Sequence, residues 1–284
     1  MHKEHTNFHK DLPTLLEAFE HPGRAYRGKP FWAWNGELEK DELIRQARIM
    51  KEMGLGGFFM HARAGLITEY LGREWFELTN AVADEAKRLD MEAWLYDEDR
   101  WPSGSAGGKV TADPQYRMKS LVMADMPAER FRWTPEVICA FLARCQGVEL
   151  DEYSPLEPGD LIPQGEGFRV LQFSIVPDPC SSGFNGATYL DTMSRAATDR
   201  FIELTHEAYR ERCGGRLGDS IEGIFTDEPH RGHGLDDYRE EDGVWRCSMA
   251  WTDDLFEQFR LRYGYDPKPL LPEIFYRYRG EKVS

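Results

Sequence analysis

The chain has 284 residues, 41% of them hydrophobic and 30% charged, enough to bury a sizeable core in one large domain or two small ones. A formal net charge of −15 and an isoelectric point near 5.0 argue against nucleic acid as a partner, because its phosphates would be repelled. No apolar run approaches the ~20 residues of a membrane span, and the opening "MHKEHTNFHKDLPTLLEAFEHPG" lacks the apolar core of a signal peptide, so no membrane association and a cytoplasmic location are expected.

After this polar start, "KPFWAWNG" reads as a short aromatic strand ending at Asn35-Gly36. Leu43, Ala47, Met50 and Met53 recur at helical spacing, and Gly54 to Gly57 stops that helix. "GGFFMHA" is a second strand with an abrupt polar end at His61 and Arg63. Trp75, Leu78, Val82, Ala86 and Leu89 mark one face of a second helix. "MEAWLYDED" is a third strand that turns acidic at Asp97, Glu98 and Asp99, followed by the Pro, Ser and Gly loop "RWPSGSAGG".

The rhythm then changes. The runs "KSLVMADM", "EVICAFLARC" and "FRVLQFSIVP", separated by Pro, Gly and acidic turns, predict an inserted antiparallel β module over residues 119–187. Helical spacing returns with Leu190, Met193, Ala197, Phe201, Leu204 and Ala208. "IEGIFTDEPH" supplies a fourth strand and "MAWTDDLFEQFRLRYGY" a fourth helix. Five cysteines (Cys139, Cys145, Cys180, Cys213, Cys247) show no metal spacing and read as reduced thiols.

Alternating strands and helices imply parallel strands with crossover helices. Polar or aromatic groups stand at four strand carboxyl ends: Trp34-Asn35, His61-Arg63, Asp97-Asp99 and Asp227-His230. That is where a (β/α)8-type barrel builds its site. A doubly wound sheet would also place ligands at strand ends, but no GxGxxG or P-loop is present. The expected domains are residues 1–118 (three βα units), 119–187 (the β module) and 188–284 (the fourth βα unit and following helix).

Glu228 is the first candidate for chemistry. On a strand only one of Asp227 and Glu228 can face a pocket, and Pro229 is expected to hold Glu228 extended. A rigid, partly desolvated Glu would have a raised pKa suited to protonating a leaving oxygen. The plainer alternative is a loop-capping Asp227 and a solvent-facing Glu228. Asp97 or Asp99 could face Glu228 across the mouth, or the acidic turn could hold calcium, a cation that takes oxygen ligands. Against both stands a solvated turn with Asp99 paired to Arg100 or Arg63. Trp34 and Trp101, beside polar groups, are candidates for stacking on a sugar, with Asn35, His61, Arg63, Asp227 and His230 as further binding residues. A metal-dependent hydrolase using Asp97, Asp99, His61 and His230 is a weaker alternative, because no tight ligand spacing supports it.

"PFWAWNGELEKDELIRQARIMKEMGLGGFFMHARAG", "YDEDRWPSGSAGG" and "IFTDEPH", in this order, resemble the amino-terminal half of glycoside hydrolase family 106, the α-L-rhamnosidase group, over roughly Pro30 to Tyr265. The resemblance implies a barrel glycosidase acting on a carbohydrate, with Glu228 as the site acid. Glu-Pro after the fourth strand is also similar to the Asn-Glu-Pro acid/base motif of retaining barrel glycosidases, with Asp227 standing in place of Asn. A full barrel takes about 250 residues without insertions. Four βα units are used by Gly264, so a half barrel is expected: a fragment, a truncated frame, or part of an assembly, with little activity alone and open edges that favour self-association. The competing expectation is a non-catalytic carbohydrate-binding protein without a complete carboxylate pair.

Overall fold

The computed structural model describes residues 11–163, 167–232 and 234–280. In chain order they form α1 (Leu12–Glu20), β1 (Phe31–Gly36), α2 (Lys40–Glu52), β2 (Gly57–Leu66), α3 (Arg73–Arg88), β3 (Glu92–Tyr96), β4 (Lys119–Pro127), β5 (Val137–Gln146), β6 (Glu149–Leu156) and β7 (Arg169–Pro177). There follow α4 (Arg195–Ile202), a π-helical stretch Glu203–Glu207, α5 (Ala208–Cys213), β8 (Ile221–Phe225), β9 (Arg239–Glu241), β10 (Val244–Trp251), α6 (Leu255–Tyr263), α7 (Leu271–Phe275) and β11 (Arg277–Tyr278). The chain divides into two units, Met1–Gly107 with Phe201–Pro229, and Gly108–Arg200 with His230–Ser284. Among the described residues no helix is long and apolar enough to cross a membrane.

The first unit is built on a four-stranded sheet in the order β1-β2-β3-β8, with every neighbouring pair parallel. Alternation along the strands divides its side chains between two faces. Trp32, Trp34, Phe58, Met60, Ala93, Leu95 and Ile221 pack into one core with Leu43 and Ala47 of α2, Trp75 and Val82 of α3, and Tyr209 and Cys213 of α5. The opposite face is aromatic. The Phe31 ring lies 5.1–5.9 Å from those of Phe59, His61, Tyr96 and Phe225, and is itself 54% exposed. A glycine is required at 223, where a Cβ would stand 2.6 Å from the Trp94 ring of the paired strand.

The second unit carries a seven-stranded sheet in the order β11-β6-β5-β7-β4-β10-β9, antiparallel except for the β11–β6 pair. Its core includes Leu121, Met123, Phe141, Leu171, Phe173 and Phe275. At its centre the buried Asp125 accepts hydrogen bonds from Arg169 and from the Tyr276 hydroxyl.

Two expectations are corrected. The fourth helix is expected to begin at Met249, but residues 249–251 belong to a strand of residues 244–251. That strand, β10, pairs with β4 from Trp245↔Asp125 to Trp251↔Lys119, and the helix begins only at Leu255 after the N-cap Asp254. Its apolar positions fit either period, and the ladder with β4 decides. The expected stripe holds at Ala197 and Phe201 but shifts by one residue beyond them, leaving Leu204 and Ala208 only half-buried. The π-helical stretch adds a residue to the turn, so Phe201, Thr205, Tyr209 and Cys213 are the buried side chains.

Candidate functional site

The carboxyl ends of β3 and β8 are neighbours, since Tyr96 pairs with Phe225 and the Asp97 amide donates to the Phe225 carbonyl at 3.2 Å. Asp97, the first residue past β3, is fully buried. Its Oδ1 accepts from Ser103 Oγ at 2.6 Å, and its Oδ2 from Thr226 Oγ1 at 2.6 Å and His206 Nε2 at 2.8 Å. The carboxylate can only accept, so His206 contributes an Nε2–H. The π-helical stretch delivers this histidine, 109 residues away in sequence.

Ser103 extends the network. Its Oγ accepts from the Asp227 amide at 2.9 Å, and its own amide donates to the Asp227 carbonyl at 2.9 Å. The residue before Glu228 is thus fastened to the loop after β3. The side chain of Asp227 accepts from the Tyr96 hydroxyl. Burial, and then this bond, push the Tyr96 hydroxyl well above its ordinary pKa, so it remains a donor.

Glu98 shapes that loop. Its Oε2 accepts from the amides of Gly104, Ser105 and Ala106 at 2.7–2.9 Å, and its Oε1 from Asp99 at 2.9 Å and Gly107 at 2.6 Å. Burial pushes its carboxyl up to about 7, against the opposing pull of these amides. Both oxygens are therefore committed to backbone.

Glu228 is exposed, and its Oε2 receives the Trp101 indole N–H at 3.1 Å. Trp101 itself is 55% exposed. The expected extended, partly desolvated Glu228 is not what forms: its φ is +40°, and the side chain stands in solvent. The Ser103–Asp227 bonds tie down the preceding residue, so the chain turns before Pro229 instead of continuing the strand.

Other sequence candidates fall in different places. Trp34 is 1% exposed and packs edge-on against Trp32 and Trp75 on the helix-covered face, so it offers no sugar platform. Asp97 is not open to a mouth, and Asp99 is buried with Oδ2 3.4 Å from Arg100 Nε. Among the described residues no group of three or more His, Cys, Asp or Glu side chains is arranged to hold a metal ion, and Glu98 faces its own loop, so the calcium reading lacks a ligand set. His61 is buried and stacked on Tyr96 at 3.4 Å. Burial, and then the Arg63 charge, lower its pKa to about 4. Arg63 and Asn35 are exposed. His230 belongs to the second unit, where its ring stacks on Tyr189 at 4.6 Å. A cavity of about 590 Å³ in that unit, lined by Trp133, Val137, Phe141 and Leu156, touches none of the sequence candidates.

The first unit thus gathers Asp97, Tyr96, Trp101, Asp227 and Glu228 with three residues that sequence reasoning missed: Ser103, His206 and Thr226. Ser103 and Thr226 sit inside quoted motifs, "RWPSGSAGG" and "IFTDEPH". His206 has only a break in helical phase to announce it.

No protein-family model matches the chain. Over 126 residues it is 25% identical to a Formosa agariphila protein named "Putative beta-glucuronidase", a stretch covering 42% of this chain and 10% of that protein. Among solved structures, a rhamnosidase from Novosphingobium sp. PP1Y aligns over 92% of this chain and 42% of its own, with a TM-score of 0.52 and 15% identity. At that identity the likeness is one of fold. The chain spans less than half of either protein.

Proposed function

We propose that this chain belongs to a glycoside hydrolase-like protein, that its parallel sheet is part of a (β/α)8-type barrel, and that Glu228 is the general acid/base acting on a bound glycan. The carrying observation is the pose of Glu228: exposed at the carboxyl end of β8, oriented by the Trp101 indole, and fastened through Asp227 to the Asp97–Ser103 network. A carboxyl group held near a strand end in this way can protonate a leaving oxygen, and the exposed Trp101 beside it offers a ring face to a sugar. The sequence match and the fold likeness support the carbohydrate reading and make α-L-rhamnosides and β-glucuronides the first substrates to try. A cytoplasmic location is part of the proposal, supported by five unpaired cysteines. So is self-association through β1 and β8, the outer strands of the parallel sheet.

A second reading, carbohydrate binding without hydrolysis, draws on a different observation. Glycosidases use a second carboxyl group roughly 5–9.5 Å from the first. In the first unit Asp97, Glu98, Asp99 and Asp227 are each engaged by other groups.

The test is turnover of 4-nitrophenyl α-L-rhamnoside and 4-nitrophenyl β-D-glucuronide by the purified chain and its Glu228→Gln variant. Turnover by the chain alone is expected to be weak, and the substitution is expected to lower it by about 10²-fold or more. Activity unchanged in the variant refutes the assignment of Glu228. Sugar binding with no turnover favours the second reading.

A further inference from the structure

Arg63 stands apart from the other arginines of the first unit. Among the described residues there, carboxylates take up eight of them, Arg27 donates to two backbone carbonyls, and Arg212 lies over the Phe76 ring. Arg63 is exposed and, among the described residues, has no hydrogen bond, ion pair or ring contact. In a chain with 50 acidic and 35 basic residues, a guanidinium with no partner of any kind is unexpected.

Its location gives that isolation meaning. Arg63 lies two residues past His61 on β2, and its charge acts on both the His61 ring and the Tyr96 hydroxyl. Tyr96 in turn donates to Asp227, the neighbour of Glu228. The nearby carboxylates are held elsewhere: Asp227 by Tyr96, and Asp97 by Ser103, Thr226 and His206. His61, buried and lowered to about 4, is neutral at pH 7 and adds no second cation.

We propose that Arg63 recognises an anionic sugar, a pyranose bearing a carboxylate or a sulfate ester, at the strand ends beside Asp227 and Glu228. The planar guanidinium fork matches the paired oxygens of such a group, and no protein carboxylate has to be displaced. The inference rests on the carbohydrate reading above and narrows its substrate class.

The experiment follows the Arg63 Nε–Hε resonance of the ¹⁵N-labelled chain during titration with three methyl glucopyranosides that differ only at C6. Methyl β-D-glucuronide carries a carboxylate, the 6-sulfate an ester, and methyl β-D-glucoside a neutral hydroxymethyl. The charged sugars are expected to shift the resonance and to bind about tenfold or more tightly than the neutral one. Arg63→Gln should erase that preference, and Arg63→Lys should keep part of it, because the charge survives without the fork. The tighter of the two charged sugars identifies carboxylate or sulfate as the group read. Equal binding of charged and neutral sugars overturns the inference and leaves the carbohydrate reading standing, as does a preference that survives Arg63→Gln. No shift with any of the three at tens of millimolar overturns the inference too. The Glu228→Gln turnover assay then judges the carbohydrate reading separately.

Discussion

After β3, the carboxylates of Asp97 and Glu98 are 0% and 2% exposed, and their oxygens accept eight hydrogen bonds from protein donors. After β8, Glu228 is exposed and receives one, from Trp101. The two turns meet through Ser103 and Asp227, yet their acids do opposite work. A carboxylate saturated by its own backbone fixes the shape of a loop and can offer little to a ligand. A carboxylate aimed by a single indole keeps lone pairs free for a visitor. The number of acids at a strand end therefore says less about chemistry than the number of donors each has already met.

The largest effect that could break this comparison is expected at Glu98. Glu98→Ala would strand five amides at once, four of them buried, and the loop from Asp99 to Gly107 would have to open to hydrate them. A loss of roughly 3–5 kcal/mol is expected in urea denaturation. A loss under about 1 kcal/mol would mean that the loop holds its shape without the carboxylate, and that the two turns differ less than their contacts imply.

How much of this was legible beforehand depended on range. The parallel strands announced themselves because a strand buried by helices needs an apolar run, and Phe58, Met60, Ala93 and Leu95 supply it. β10 was ambiguous because Val244, Cys247, Ala250 and Trp251 suit a helix period as well as a ladder, and only pairing with β4 selects the strand. At the site, the acids and Trp101 could be read directly, but their exposure could not. Trp34 and Trp101 look alike in sequence. One is sealed against Trp75 and the other projects into solvent, a difference fixed by strand alternation and by the loop after β3. His206 was invisible, since its partner lies 109 residues away and a π-helical turn sets its direction.

A middle-sized effect is expected from His61, and it separates the sheet's aromatic face from the exposed turn at Glu228. The folded-state pKa is lowered from 6.5 to about 4 by burial and then by Arg63. A histidine whose folded pKa is depressed binds fewer protons folded than unfolded between these values. Its contribution is therefore intact above pH 6.5 and is lost as pH falls toward 4. About 2–3 kcal/mol of stability should disappear across that window. Comparison with His61→Phe, which keeps a ring against Tyr96 but cannot titrate, isolates the contribution. Equal pH slopes in the two proteins would show that His61 is not desolvated in solution.

The smallest effect is expected at Glu228, and its smallness is the point. An exposed side chain whose one hydrogen bond comes from a half-exposed indole carries little of the fold, so Glu228→Gln should change stability by no more than about 0.5 kcal/mol. The amide oxygen can still accept from Trp101, which keeps the local geometry while removing the charge and the acid. Thermal or urea unfolding of the variant beside the parent checks this, and it must be done on the same preparation used for turnover. A loss of 2 kcal/mol or more would place Glu228 among the residues that build the loop, as Glu98 does. Any fall in turnover would then reflect damage to the scaffold, and Glu228 would forfeit its claim to the chemistry.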